Sequence, residues 1–346
     1  MLDPRFVHSR PRPPSVAGTQ ADTGDPVRGF GRDMLEADPP DHTRLRRLVG
    51  KAFTRQSVDR FSGQIEQLAN EILDGAQRGS IELMSEYATV IPITIITEIL
   101  GIPIKNIPAF RDFMYELNLS QTMGRRDDRI EQAKLRFTKR LQGLFEQRRQ
   151  EPRDDLLTAL VKAESDGDKL SADELLGMAY LLMLGGFVTT ANIIGNGTLA
   201  LLRHPEQLEL LRTAPELAES AVEEVLRFDT PLELSSVRFA SVDVDLAEQR
   251  IPKGAAVRIL IASANRDPDR FSNPDQLDIR RSPCPHLTFG HGIHYCLGAP
   301  LARLEGRIAL RTLIERSPGL RLSDPQQVKW RPHPMLRGLE QLPLKL

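Results

Sequence analysis

Cys296 lies in a glycine-rich stretch, residues 289–298, that reads FGHGIHYCLG. Phe289 stands seven residues before the cysteine, His294 stands two residues before it, and a helix-like run follows. Glycines allow the backbone to turn tightly and to approach a flat cofactor closely. The N-terminal amides of the following helix point at the sulfur and stabilise its negative charge. A lone thiolate on iron is suited to haem, where an axial cysteine favours O–O bond cleavage.

This stretch resembles the cysteine loop of the cytochrome P450 family, whose pattern is F-x-x-G-x-x-x-C-x-G. Phe289, Gly292, Cys296 and Gly298 fill that pattern. The resemblance implies that Cys296 is the axial iron ligand of haem b and that Phe289 is a cofactor-binding residue. From the residues alone, a buried structural cysteine is the alternative, because that is the usual state of a lone cysteine. Cys284, which lies between prolines, is predicted to be a free structural thiol.

Two adjacent glycines, Gly185 and Gly186, interrupt a long helical pattern just before Thr189. Each glycine in a helix interior costs about 1 kcal/mol relative to alanine, so the pair indicates that something approaches the backbone closely. The stretch resembles the family pattern A/G-G-x-D/E-T-T, which implies a catalytic Thr189 that assists oxygen activation. A helix kink with the threonine hydroxyl bonded to the preceding turn is the alternative. Val188 departs from the pattern, because the family usually has a proton-relaying acid there.

Basic residues that suit the carboxylates of haem occur in three places. Residues 41–47, DHTRLRR, resemble the family's D-H-x-R-x-R helix, and His42 and Arg46 share one face at spacing i, i+4. The resemblance assigns His42, Arg46, the strand residue Arg238 and His294 to the haem propionates, for which imidazole and guanidinium groups are suitable donors. Taken singly, each would be interpreted as an ordinary surface charge.

Glu224 and Arg227 share a helix face at spacing i, i+3. The segment resembles the family's E-x-x-R helix, and Arg281 resembles the arginine that supplies a third charge. The resemblance implies a buried ion triad that holds the cysteine loop in place, which is a structural role. A solvated surface salt bridge is the alternative for the helix pair alone.

The elements that must position these residues are predominantly helical. A capping box, Ser171 with Glu174, starts the longest helical pattern, and alternating apolar residues predict short strands over 234–261. The resemblance implies a mainly α fold with a smaller β region, a triangular prism with haem between the long central helix and the cysteine loop. Helices are predicted over residues 41–51, 57–79, 84–100, 107–118, 127–149, 152–164, 171–203, 205–213, 215–228 and 298–315.

The whole chain, 1–346, is expected to form one domain that is short at its N-terminus. Residues 1–6 resemble a segment that about 40–60 residues precede in the family, and their loss would leave an unpaired strand edge near 256–261. A misplaced start codon and a shortened variant are both compatible with this pattern.

Composition limits the partners and the location. The net charge of −1 gives no global attraction to nucleic acid. The two cysteines occur at unlike sites, so no disulfide framework is predicted and a reducing, cytoplasmic location fits best. No signal peptide is visible. The most apolar helical run, residues 175–188, is shorter than the roughly 20 residues needed to span a bilayer, so no membrane association is expected.

The resemblance implies a soluble bacterial-type haem-thiolate monooxygenase that inserts one oxygen atom from O2 into a small apolar substrate, such as a secondary metabolite. Ferredoxin and ferredoxin reductase are the implied electron donors. A peroxide-driven oxygenase of the same fold, a non-catalytic haem-binding protein and an inactive truncated form are the alternatives. Basic residues that could form a docking surface for ferredoxin are Arg44, Arg47, Lys51, Arg55, Arg303 and Arg307.

Overall fold

The computed structural model describes residues 3–9, 30–76, 79–123, 128–165 and 170–346, and most of these residues are helical. A π-helical turn, Met84–Ala88, leads into the fourth helix. The helices in chain order are α1 Asp41–Gly50, α2 Arg55–Asp59, α3 Ser62–Asp74, α4 Val90–Leu100, α5 Ile107–Met123, α6 Asp128–Gln150, α7 Leu156–Ser165, α8 Ala172–Arg203, α9 Pro205–Thr213, α10 Ala218–Phe228, α11 Ile261–Ala264 and α12 Ala299–Arg316.

The described strands are short and pair antiparallel in small sheets with the orders β1-β3-β6, β2-β10-β7, β4-β5 and β8-β9. Val7 of β1 lies opposite Phe239 of β3, and Arg238 of β3 lies opposite Val257 of β6. The predicted mainly α fold with a smaller β region is confirmed. The strands are β1 Phe6–Val7, β2 Ser80–Glu82, β3 Arg238–Ala240, β4 Val244–Leu246, β5 Gln249–Ile251, β6 Ala256–Val257, β7 Arg321–Leu322, β8 Lys329–Trp330, β9 Leu339–Gln341 and β10 Pro343–Lys345.

The predicted helix over 57–79 is two helices, α2 and α3. The Thr54 side chain accepts a hydrogen bond from the Ser57 N–H and caps α2. A tighter i→i+3 bond from Phe61 N–H to the Val58 carbonyl ends it, and both of these side chains are buried. Two predicted segments begin outside the described residues. They are the N-terminal segment, which starts at residue 1, and the helix predicted over 127–149.

The 32-residue helix α8 is the longest element, and it packs against α4, α10 and α12. Its capping box is present, with the Ser171 side chain accepting from the Glu174 N–H at 3.1 Å and the Glu174 carboxylate accepting from the Ser171 N–H at 2.9 Å.

Residues 175–188, the apolar run expected to be too short to span a membrane, belong to this helix. The helix as a whole is long and apolar enough to cross a membrane. Of its most apolar window, 72% is buried inside the protein, as in the core helix of a globular fold.

Candidate active site

The cysteine loop turns through two glycines with positive φ, Gly290 at 72° and Gly292 at 80°. These left-handed conformations favour glycine because it has no Cβ. The Cys296 N–H donates to the Phe289 carbonyl at 2.7 Å, and this bond closes the loop. Helix α12 begins at Ala299, three residues after the cysteine, and the amides at its start lie beside the sulfur.

Opposing effects set the acidity of the Cys296 thiol. Burial by the surrounding protein is the largest of them and leaves the pKa above its ordinary value, although the residue retains solvent-exposed surface. The backbone N–H groups of Gly298 and Ala299 donate hydrogen bonds to the sulfur, and the positive charges of Arg46 and Arg303 lie nearby; all of these lower the pKa. Donors and cations aimed at one sulfur favour the thiolate, which is the form that binds a metal. Burial raises the pKa of Cys284 to about 12, so that thiol stays protonated.

Arg303 on α12 supports the cysteine loop from the side of α10. Its guanidinium donates to both carboxylate oxygens of Glu223, at 2.6 and 2.9 Å, and to the Tyr295 hydroxyl at 3.0 Å. It also lies 4.4 Å from the centre of the Phe289 ring. Arg303 is one of the residues predicted to form a docking surface, and spacing along the chain does not reveal these partners.

Glu224, Arg227 and Arg281 come together as a buried cluster. Glu224 accepts two bonds of 2.8 Å from Arg227, and both side chains are fully buried. Arg281 donates to the same carboxylate at 3.0 Å. Arg227 also donates to the carbonyls of Asn265, Pro274 and Gln276. The cluster thus joins α10 to residues 265–281, the segment that precedes the cysteine loop.

The structure brings together three histidines from distant parts of the chain, with their rings tilted against one another. The His294 ring lies 4.2 Å from that of His42 and 3.9 Å from that of His8, measured between ring centres. The Nε2 atoms of all three are buried and have no hydrogen-bond partner among the described residues. Burial and neighbouring positive charge lower the pKa of His8 to about 4 and that of His294 to about 3, so both rings are neutral near pH 7.

Two arginines complete this basic region. Arg46 donates to the Tyr295 carbonyl at 2.6 Å and thereby ties α1 to the cysteine loop. Arg238 on β3 is buried, and its charge acts on both His8 and His294. Buried polar groups without partners are costly unless a ligand satisfies them. Unsatisfied imidazoles beside two guanidinium groups match an anionic ligand, and the two carboxylates of haem meet that requirement. The residues present therefore fit haem.

On α8, Gly185 and Thr189 share one face at spacing i, i+4. A Cβ on Gly185 would meet nothing within 4 Å, whereas a Cβ on Gly186 would lie 2.3 Å from Ile96 Cγ1. One glycine therefore faces open space, and the other permits close packing against α4. The Thr189 hydroxyl donates to the Gly185 carbonyl at 3.2 Å, which is the back-bonded arrangement that the sequence left open. Val188 is buried on the packed side of the helix.

A cleft of about 320 Å³ lies between the end of α5 and the C-terminal tail. The lining residues are largely apolar and come from two segments far apart in the chain. They are Leu119, Met123, Pro332, His333 and Pro334.

Comparison with known proteins gives consistent matches. The model of a family described as Cytochrome P450 matches residues 106–334. Cytochrome P450 monooxygenase PikC of Streptomyces venezuelae is 41% identical over 354 residues, covering 100% of this chain and 82% of PikC. Polyketide biosynthesis cytochrome P450 PksS of Bacillus subtilis (strain 168) is 42% identical over 315 residues, covering 90% of this chain and 77% of PksS. The structure of the tirandamycin C-bound P450 monooxygenase TamI matches with a TM-score of 0.88 at 38% identity, covering 99% of this chain and 86% of TamI.

Proposed function

This chain belongs to the cytochrome P450 family, with haem b as its cofactor and monooxygenation as its activity, and we propose that it oxygenates a small apolar substrate with electrons from a ferredoxin. The observation that carries the proposal is the Cys296 loop, in which two backbone amides and two arginines surround one thiol. When bound, haem supplies the iron centre that activates dioxygen for insertion of one oxygen atom into the substrate.

Cys296 is proposed to ligate the iron as a thiolate, with Phe289 beside it. The amides of Gly298 and Ala299 stabilise the negative charge on sulfur. The buried cluster of Glu224, Arg227 and Arg281 is proposed to hold the segment before this loop in position. It acts on the geometry of the loop and takes no part in the chemistry.

His42, Arg46, Arg238 and His294 are proposed to hold the haem propionates. His42 and His294 would donate through Nε2 atoms that otherwise lack partners. Arg46 and Arg238 would neutralise the carboxylate charges, and Arg46 also links this region to the cysteine loop. Together they would fix the orientation of the cofactor as well as its affinity.

Thr189 is proposed as the catalytic residue of α8. Gly185 leaves open space beside it, and the threonine hydroxyl holds one proton, which it donates to the Gly185 carbonyl. Rotation of the hydroxyl would direct that proton toward the open side of the helix, the side on which a bound haem would supply the oxygen chemistry. The lone pairs of the same oxygen can accept a hydrogen bond from water.

The substrate class rests on the relatives. PksS is named for polyketide biosynthesis, and TamI was solved with tirandamycin C bound. We therefore assign to this chain an apolar secondary metabolite as substrate, acted on in the cytoplasm.

A peroxide-driven oxygenase of the same fold is a second candidate. The observation that favours it is Val188, which leaves no acid immediately before Thr189. Such an enzyme would form product with hydrogen peroxide alone. If product forms only when ferredoxin and its reductase are present, the protein is the ferredoxin-dependent monooxygenase proposed first.

The test of the haem-thiolate centre is the carbon-monoxide difference spectrum of the reduced protein. We expect the wild type to show the red-shifted thiolate-type band and Cys296→Ala to lose it, because the other thiol, Cys284, stays protonated and bonds to Glu223 and Glu224. Cys284→Ala is the matched control and should keep the band. Loss of the band in the Cys284 variant, or its survival in the Cys296 variant, would make the ligand assignment wrong.

A further inference from the structure

His8 is a buried histidine that the sequence patterns do not assign to any role. Only 8% of its surface is exposed, and its Nε2 has no hydrogen-bond partner among the described residues. A buried nitrogen without a hydrogen-bond partner lowers the stability of the fold, and an apolar residue at this position would avoid that loss. The position therefore calls for a ligand that satisfies this atom.

The backbone around His8 is held firmly, so its side chain has a defined direction. Val7 pairs with Phe239, the neighbour of Arg238, across β1 and β3. The N–H groups of His8 and Ser9 both donate to the Asp38 carboxylate, at 3.0 and 2.7 Å. Asp38, whose charge acts on His8, His42 and His294, is thus already engaged by the backbone.

The ring of His8 extends the basic region described above. Its ring centre lies 3.9 Å from that of His294, which in turn lies 4.2 Å from that of His42. Arg238 lies close enough for its charge to act on the His8 ring. Three unsatisfied Nε2 atoms and two guanidinium groups form a donor set larger than the four residues that the family resemblance supplied.

We infer that His8 is a further cofactor-binding residue, whose Nε2 donates a hydrogen bond to a haem propionate beside His42 and His294. This inference rests on the haem site proposed above. It extends that site to the segment of β1, which lies more than two hundred residues from the cysteine loop in sequence. The N-terminal segment then contributes directly to cofactor retention.

The test compares haem retention and reduction potential in three variants of the holoprotein. His8→Leu replaces the imidazole by an apolar side chain and removes the donor, His8→Gln keeps a donor, and Thr43→Ala changes an exposed residue of α1 next to His42. Haem transfer from each ferric protein to excess apomyoglobin gives the release rate. We expect His8→Leu to release haem roughly ten- to a hundredfold faster than wild type, since a hydrogen bond to a charged group is lost. His8→Gln should lie between them, and Thr43→Ala should match wild type.

The reduction potential separates a propionate contact from a packing effect. Loss of a donor leaves the carboxylate charge less compensated, which stabilises the ferric state, so the potential of His8→Leu should be more negative. Release from His8→Leu no faster than from Thr43→Ala would overturn the inference. Faster release with an unchanged potential would also overturn it. A wild type without the thiolate-type band would instead refute the haem site itself.

Discussion

At the scale of single residues, burial decides what an ion pair does. Glu224–Arg227 and Glu209–Arg212 have the same residue types and the same i, i+3 spacing. The first pair is fully buried and shared with Arg281, whereas the second has a side chain that is 65% exposed. Spacing alone could not distinguish them, because both satisfy the same helical geometry.

The two pairs allow a matched prediction. Glu224→Ala leaves Arg227 and Arg281 without their carboxylate, and we expect it to lower the free energy of unfolding by about 3–5 kcal/mol. Glu209→Ala should change it by less than about 1 kcal/mol. Urea unfolding followed by circular dichroism measures both values. Similar losses in the two variants would contradict a special role for the buried cluster.

At the scale of elements, the two glycines of α8 serve different neighbours. Gly186 lets α8 approach Ile96 of α4, and Gly185 faces open space. We expect Gly186→Ala to destabilise the protein by about 1–3 kcal/mol through overpacking. Gly185→Ala should not destabilise the packing, but it should alter the haem absorption spectrum if the cofactor lies on that face. Unfolding curves and visible spectra of both variants check this, and the reverse order of stabilities would refute it.

The junction of α10 with the cysteine loop should respond to acid. Burial by itself would raise the pKa of Glu223, but hydrogen bonds from His286 and Arg303 outweigh it and lower the pKa to about 2 from the ordinary value of 4.5. A carboxyl group with a depressed pKa contributes stability that is fully present above its unfolded pKa and is lost as the pH falls toward the folded value.

Glu223→Gln should therefore be less stable than wild type near pH 7, and the difference should shrink as the pH falls from about 5 toward 2. Unfolding midpoints measured across this range test the prediction. Glu219→Gln, an exposed change on the same helix, should leave the profile as it is. A difference from wild type that is independent of pH would contradict the mechanism.

At the scale of the whole molecule, the structure redefines the basic docking surface. Arg44 pairs with Glu174 and Arg303 with Glu223, so both are engaged inside the fold. Of the predicted docking residues, Arg47, Lys51 and Arg55 are exposed near α1 and α2. We propose these three as the docking surface for an acidic ferredoxin on a single domain that extends over residues 1–346.

Charge reversal tests this surface. Lys51→Glu and Arg55→Glu should slow reduction by ferredoxin and weaken its dependence on salt, because electrostatic steering raises association rates most at low ionic strength. Lys253→Glu, in the turn after β5, is the exposed control. Stopped-flow reduction at several salt concentrations measures the effect, and equal slowing in all three variants would argue against a local docking surface.

The sequence by itself determined the chemistry of the site and most of the helices. The cysteine loop, the helix with His42 and Arg46, and the capping box of α8 are local patterns, and local spacing specifies which side chains share a turn or a face. Tertiary structure alone decided which distant residues meet. In the folded protein His8 lies against His294, Arg303 pairs with Glu223 and Val188 lies on the packed side of α8. These contacts depend on how helices and strands pack, and no spacing along the chain encodes that packing directly.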